Sequence, residues 1–191
     1  RGLRAQLGLF AILGNHDWTD CYEARANDFT HTSVQNAMSA GGIDLLVNDA
    51  SHVAQGDQDF WVVGFDSQAY RKIVRGRHSR HDPDRAFENV PDGANSLLLA
   101  HEPDYITQGD PRPALQLSGH THGGQLNLRG WRPLTPSKYK SRFAWGAHDV
   151  GAGRLVVSGG VGFSGVPLRI LQPPAVTVVT LTGKPNAKES P

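Results

Sequence analysis

Three short apolar runs in this chain each give way to a polar motif, and that pattern constrains the fold more than any other feature. Leu9-Phe10-Ala11-Ile12-Leu13 leads into Gly14-Asn15-His16-Asp17, Leu97-Leu98-Leu99-Ala100 ends on His101, and Ala114-Leu115-Gln116-Leu117 precedes Gly119-His120-Thr121-His122. Apolar runs this short read as buried strands. Glycine lets the chain turn sharply where a strand ends, and the polar side chains then point into a crevice beyond the carboxyl edge of a sheet. The arrangement predicts a metal site at the strand ends.

The 191 residues are 38% hydrophobic and 19% charged, enough for one domain with a core of its own. A net charge of +1 supplies no bulk field for nucleic acid, so no nucleic-acid partner is expected, nor a stable protein partner. Cys21 is the single cysteine, which excludes a disulfide framework and a Cys-rich zinc module. Metal binding must then rest on His, Asn and Asp. No run approaches the ~20 apolar residues of a membrane helix. The chain opens on Arg1-Gly2-Leu3-Arg4-Ala5-Gln6 rather than Met, which reads like the tail of a helix entering a strand. The natural N-terminus is therefore expected upstream, and the compartment, cytoplasmic or membrane-associated at the envelope, stays open.

Strands are predicted over Gly8 to Leu13 and Ile43 to Val47, with a helix from Thr32 to Ala40 stopped by Gly41-Gly42. Residues 51 to 55 and 60 to 66 flank a polar stretch and predict a hairpin, hence a mixed sheet. A basic stretch from 70 to 85, with Arg71, Lys72, Arg75, Arg77, Arg80 and Arg85 around His78 and His81, precedes a short helix from Pro83 to Asn89. It reads as a solvated face. Gly123 to Gly153 lacks periodicity and suggests a long surface connection, with Trp131, Tyr139, Phe143 and Trp145 serving as packing. Leu155-Val156-Val157 and Ala175 to Leu181 are the last predicted strands, before a polar tail (183–191) expected to be disordered. The fold class is an α/β sandwich of mixed sheets flanked by helices, occupying 1–182.

His120 and His122, two residues apart, can present imidazoles on one side of an extended segment, either to one metal or to two metals ~3.5–4 Å apart. His101, also at a strand end, strengthens the reading, because a buried imidazole without a partner is costly. Asn15 adds a neutral oxygen ligand and Asp17 an acceptor behind the ligands. Such a mixture suits Mn, Fe, Zn or Ni better than Ca or Mg.

Taken in order, Gly14-Asn15-His16-Asp17, then Leu99-Ala100-His101-Glu102-Pro103-Asp104, then Gly119-His120-Thr121-His122 resembles the last three motifs of the calcineurin-like metallophosphoesterases. Gly123-Gly124-Gln125 and the stretch Val157-Ser158-Gly159-Gly160-Val161-Gly162-Phe163-Ser164-Gly165-Val166-Pro167-Leu168-Arg169 are similar to a bacterial, single-domain, phosphodiesterase-like branch. The resemblance implies two divalent metal ions, with Asn15, His101 and His120 binding one and His122 the other. It implies that His16 contacts the phosphate and assists the leaving group while Asp17 orients His16. It also implies two earlier motifs, Asp-x-His and Gly-Asp-x-x-Asp, and only thirteen residues precede Gly14. An N-terminally truncated domain lacking its first strands is the expectation.

The expected activity is dinuclear, metal-dependent hydrolysis of phosphodiester or phosphoanhydride bonds by metal-activated water, on a phosphorylated small-molecule or lipid-linked substrate. A non-catalytic fragment that binds metal or phosphate and needs the missing N-terminal segment is the alternative. A metallo-β-lactamase-type hydrolase also uses His-x-His, but it needs an Asp two residues later, where this chain has Gly123-Gly124.

Overall fold

The computed structural model describes residues 2–22, 26, 33–56, 58–68 and 80–182. Strand β1 (Phe10–Ala11) pairs in parallel with β2 (Asp44–Leu45), a shorter pair than the two apolar runs predict. Between them lie helix α1 (Asn15–Thr19) and helix α2 (Ser33–Ala40). The second stops at Gly41-Gly42 as its composition requires, and Gly42 takes a φ of 67°. Thr32, its predicted first residue, lies outside the described residues.

The hairpin is present, with β3 (Asp49–Gln55) antiparallel to β4 (Gln58–Gly64) in a register running from Asp49 opposite Gly64 to Gln55 opposite Gln58. Beyond it come β5 (Ser96–Leu99), β6 (Leu115–Ser118), β7 (Gly146–Val150) and β8 (Gly153–Val157). These complete a six-stranded sheet of order β3-β4-β5-β6-β8-β7. Strands β4, β5, β6 and β8 are mutually parallel, and the hairpin strands β3 and β7 close the two edges antiparallel.

Successive side chains of a strand point to opposite faces, and both faces of this sheet are covered. On one, Val62 and Leu99 pack with Val53, Leu46, Phe10 and Ile12 beneath the β1–β2 pair. On the other, Val63 and Leu98 pack with Phe65, Ala86, Phe87, Ala100 and Tyr105. Helix α3 (Pro83–Ala86) supplies part of that layer, and its first turn is capped by the Asp82 carboxylate, which accepts from the Arg85 N–H at 3.1 Å. It is shorter than the predicted Pro83 to Asn89. The result is a mixed sheet flanked by few helices, in accord with the α/β sandwich.

Two expectations need correction. Gly123 to Gly153 is not an unstructured surface connection: it contains a 3-10 turn (Lys140–Phe143), the fully buried Phe143 and the edge strand β7. β7 escaped notice because its side chains alternate between partly buried and exposed, with His148 and Asp149 among them. Trp131 and Trp145 are exposed, whereas Phe143 is buried and Tyr139 packs against it with ring centroids 5.2 Å apart. Ala175 to Leu181 is the second correction, since it pairs in no ladder. Ala175 donates its N–H to the Gly160 carbonyl at 2.9 Å, while Val176 and Val178 stay exposed. A β-branched run becomes a strand only where a neighbour offers a row of partners.

The central basic stretch (71–79), His31 and the tail (183–191) lie outside the described residues. No helix among the described residues is long and apolar enough to cross a membrane.

Candidate metal centre

The parallel strands all point their carboxyl ends to one edge, and the three motifs meet there. His101 follows β5 by two residues and His120 follows β6 by two, so pairing of the strands sets the histidines side by side. The Gly119 N–H donates to the His101 carbonyl at 3.0 Å, extending the ladder, and the two rings stand edge to face with centroids 4.9 Å apart.

Helix α1 brings the third group. Its Trp18 is buried, donates Nε1–H to Asp66 Oδ1 at 2.7 Å and lies under the Arg80 guanidinium, 3.9 Å from the ring centre. Asp66 sits just past the end of β4, so this anchor holds the helix start over the sheet edge. Asn15 is buried there, and its Oδ1 lies 3.1 Å from His101 Nε2 across 86 residues of sequence. Gly14 permits the approach, because a Cβ at that position would stand 2.8 Å from the His101 ring. Thr121, fully buried between the two histidines of its motif, donates its hydroxyl to the Ala144 carbonyl at 2.7 Å.

His120 and His122 adopt positive φ, 64° and 51°, as do Gly123 and Gly124. His is among the residues that tolerate this region, and strain of this kind gathers at ligand sites. Gly123 is needed twice over, since any Cβ there would also strike the Gln172 side chain at 2.5 Å.

The electrostatics favour neutral imidazoles, the form a metal requires. Burial depresses His101, and His122 and His16 depress it further against the opposing pull of Glu102. Burial and the neighbouring His101 push His120 down to about 4. His122 is lowered by burial and by Arg169, against the opposing effect of a hydrogen bond to the Gly162 backbone.

His101, Glu102 and His120 offer ligand atoms within 4.8 Å of one another, and among the described residues no other His, Cys, Asp or Glu cluster does so. Small rotamer adjustments bring such donors to ~2.0–2.2 Å of one ion. Two neutral imidazoles with an amide oxygen beside them therefore fit a divalent metal. Glu102 was not singled out in the sequence, although it directly follows His101. Its oxygens already accept from the Ser67 hydroxyl at 2.6 Å and the Gln68 N–H at 2.8 Å, so it lends the site negative charge from a fixed position.

Asp17, expected to orient His16, turns its carboxylate back to accept the Gly14 N–H at 2.7 Å, fixing the start of α1. The carboxylate on His16 belongs to Asp20, whose Oδ2 lies 2.6 Å from Nδ1. The reason is helical geometry: adjacent side chains diverge, whereas residues four apart share a face. That spacing was the available signal. The other nitrogen of His16, Nε2, lies 3.5 Å from the Ser164 hydroxyl, and both His16 and Asp20 are more than half exposed. Gly109-Asp110, a look-alike of the earlier motifs, takes no part here, because Asp110 is held by Arg112 and Tyr105.

With these positions established, likeness to known proteins adds identity. The chain is 30% identical over 183 residues to the uncharacterized metallophosphoesterase YkuE of Bacillus subtilis, covering 95% of this chain and 58% of that protein. It is 31% identical over 186 residues to an uncharacterized metallophosphoesterase of Aquifex aeolicus, covering 96% and 64%. These likenesses support the calcineurin-like metallophosphoesterase family for the chain. The chain is also 31% identical over 176 residues to the phosphodiesterase YaeI of Escherichia coli, covering 90% of the chain and 57% of YaeI. The chain thus spans less than two thirds of the length of each of these relatives. No family model and no solved structure matches it. Metallophosphoesterase relatives imply divalent metal binding, and His101, Glu102 and His120 form a cluster that could hold such an ion.

Proposed function

We propose that the protein is a metal-dependent phosphoesterase cleaving phosphodiester or phosphoanhydride bonds, in which Asn15, His101 and His120 hold one divalent ion and His122 helps hold a second. The approach of His101 to Asn15, residues 86 apart whose side chains meet at a sheet edge, is the observation that most supports it. The donor set suits Mn, Fe, Zn or Ni. Divalent ions bound there supply Lewis-acid stabilisation of phosphoryl oxygens and acidify water. The protein's own part is orientation and proton transfer. His16 faces the reacting phosphate with Nε2 and, in its protonated form, gives a proton to the departing oxygen, while Asp20 accepts the Nδ1–H and keeps the ring in that orientation. Asp17 acts one step further back by holding the turn that carries both. The substrate is a phosphorylated small molecule or a lipid-linked phosphate.

The test is hydrolysis of bis(4-nitrophenyl) phosphate, with and without manganese, by the protein purified with whatever segment is encoded upstream of Arg1. Release well above the rate with manganese alone, abolished by chelation, is expected. Tight binding of manganese and phosphate with no turnover of any diester or anhydride would favour the non-catalytic alternative.

A further inference from the structure

From Val161 to Leu168 the chain offers a single polar side chain, Ser164, and that hydroxyl is the group that reaches His16 Nε2 at 3.5 Å. Two residues earlier, Gly162 is tied to His122 through Arg169, whose guanidinium donates to both backbone carbonyls. Phe163 therefore lies between two positions linked to histidines of the centre. Its neighbours are apolar and face water: Val161 is 70% exposed, Phe163 56%, Val166 57% and Leu168 48%.

This strap is held from beneath rather than left loose. The buried Gln125 side chain accepts the Ser164 N–H and donates to the carbonyls of Val166 and Leu168 at 3.3 and 3.4 Å. Arg169 donates to the carbonyls of Gly162, of Gly159 at 2.9 Å, of His122 at 3.1 Å and of Gln172 at 2.8 Å. Backbone groups are thus satisfied on the inner side, and the apolar side chains are displayed outward beside the centre. A contiguous apolar display of this kind on a soluble surface marks a place where something binds.

We propose that the strap is the platform for the leaving alcohol, and that the preferred substrates are phosphodiesters whose leaving alcohol carries an apolar alkyl or aryl body. The inference rests on the phosphoesterase reading and on His16 facing the departing oxygen. Ser164 marks the side of Nε2 from which that oxygen is met. In the reaction the water oxygen forms the new P–O bond and releases a proton to solvent, the P–O bond to the alcohol breaks with its electron pair on the alcohol oxygen, and His16 supplies that oxygen's proton and regains one from solvent. The alcohol then leaves across Phe163 and Val166.

The intact, manganese-loaded protein should be assayed with 4-nitrophenyl methyl phosphate and with its analogue bearing a hexyl chain on the nitrophenyl ring. The hexyl ester is expected to show kcat/KM about tenfold higher, the gain of partly burying a chain of that length. The double variant Phe163→Ser with Val166→Ser should bring the ratio of the two esters close to one. Calorimetric binding of phenyl and hexylphenyl methylphosphonate to metal-free protein gives a second readout, with the same preference and the same loss in the variant. Presenting the hexyl ester in vesicles separates the sources of such an alcohol: faster turnover there assigns it to a bilayer lipid, slower turnover to a free alcohol, and both support the platform. Equal kcat/KM and equal binding for the two ring types would overturn the platform alone. No hydrolysis of either ester would overturn the phosphoesterase reading along with it.

Discussion

Replacing His120 with Asn should strip the protein of metal and take its phosphodiesterase activity to the metal-only background. Asn is chosen because it tolerates the positive φ of 64° that position 120 requires, so the backbone is not what changes. Its amide stops short of where the imidazole nitrogen reaches, and the donor group loses a buried, neutral ligand. Loss of a residue that merely supports a ligand costs about 10–100-fold in metal affinity or activity, so loss of a ligand should exceed that. Metal content by elemental analysis after gel filtration, read beside kcat/KM, checks it. A variant that keeps stoichiometric metal at wild-type affinity would remove His120 from the centre.

His16→Ala should do the opposite to the metal and nearly as much to the rate. The residue is half exposed, its Nδ1 is taken by Asp20, and its Nε2 lies 3.5 Å from the Ser164 hydroxyl. Metal content should stay at the wild-type level while turnover falls by ~10²–10⁴, the range for a positioned general acid. Asp20→Asn should cost only severalfold, since an exposed ion pair is worth ~0.2–1 kcal/mol. Asp17→Asn should leave turnover close to wild type, because its oxygen on the Gly14 N–H is preserved. Loss of metal in the His16 variant equal to that in the His120 variant would reassign His16 as a ligand.

The centre was legible because strand ends are written into sequence. An apolar run followed by glycine and a polar motif fixes where a side chain emerges, and His101 and His120 emerge two residues past neighbouring strands. What surrounds them was less legible. Asp20 carries a helical signal, but only once the short helix starting at Asn15 is recognised, and five residues give little periodicity to read. Ser164, Gln125 and Arg169 act through backbone carbonyls and amides far away in sequence, and such contacts leave no local pattern. Strand β7 and the unpaired stretch from Ala175 to Leu181 make the complementary point. A polar edge strand forms because β8 offers it a ladder, and a β-branched run without a neighbour does not form one.

Anomalous diffraction from a crystal of the protein grown with manganese tests the central claim most directly. The account predicts a peak at the carboxyl edge of β5 and β6, about 2.0–2.2 Å from an imidazole nitrogen of His101 and of His120 and from Asn15 Oδ1. A well-occupied manganese peak away from these three residues, or none at saturating metal, would contradict it.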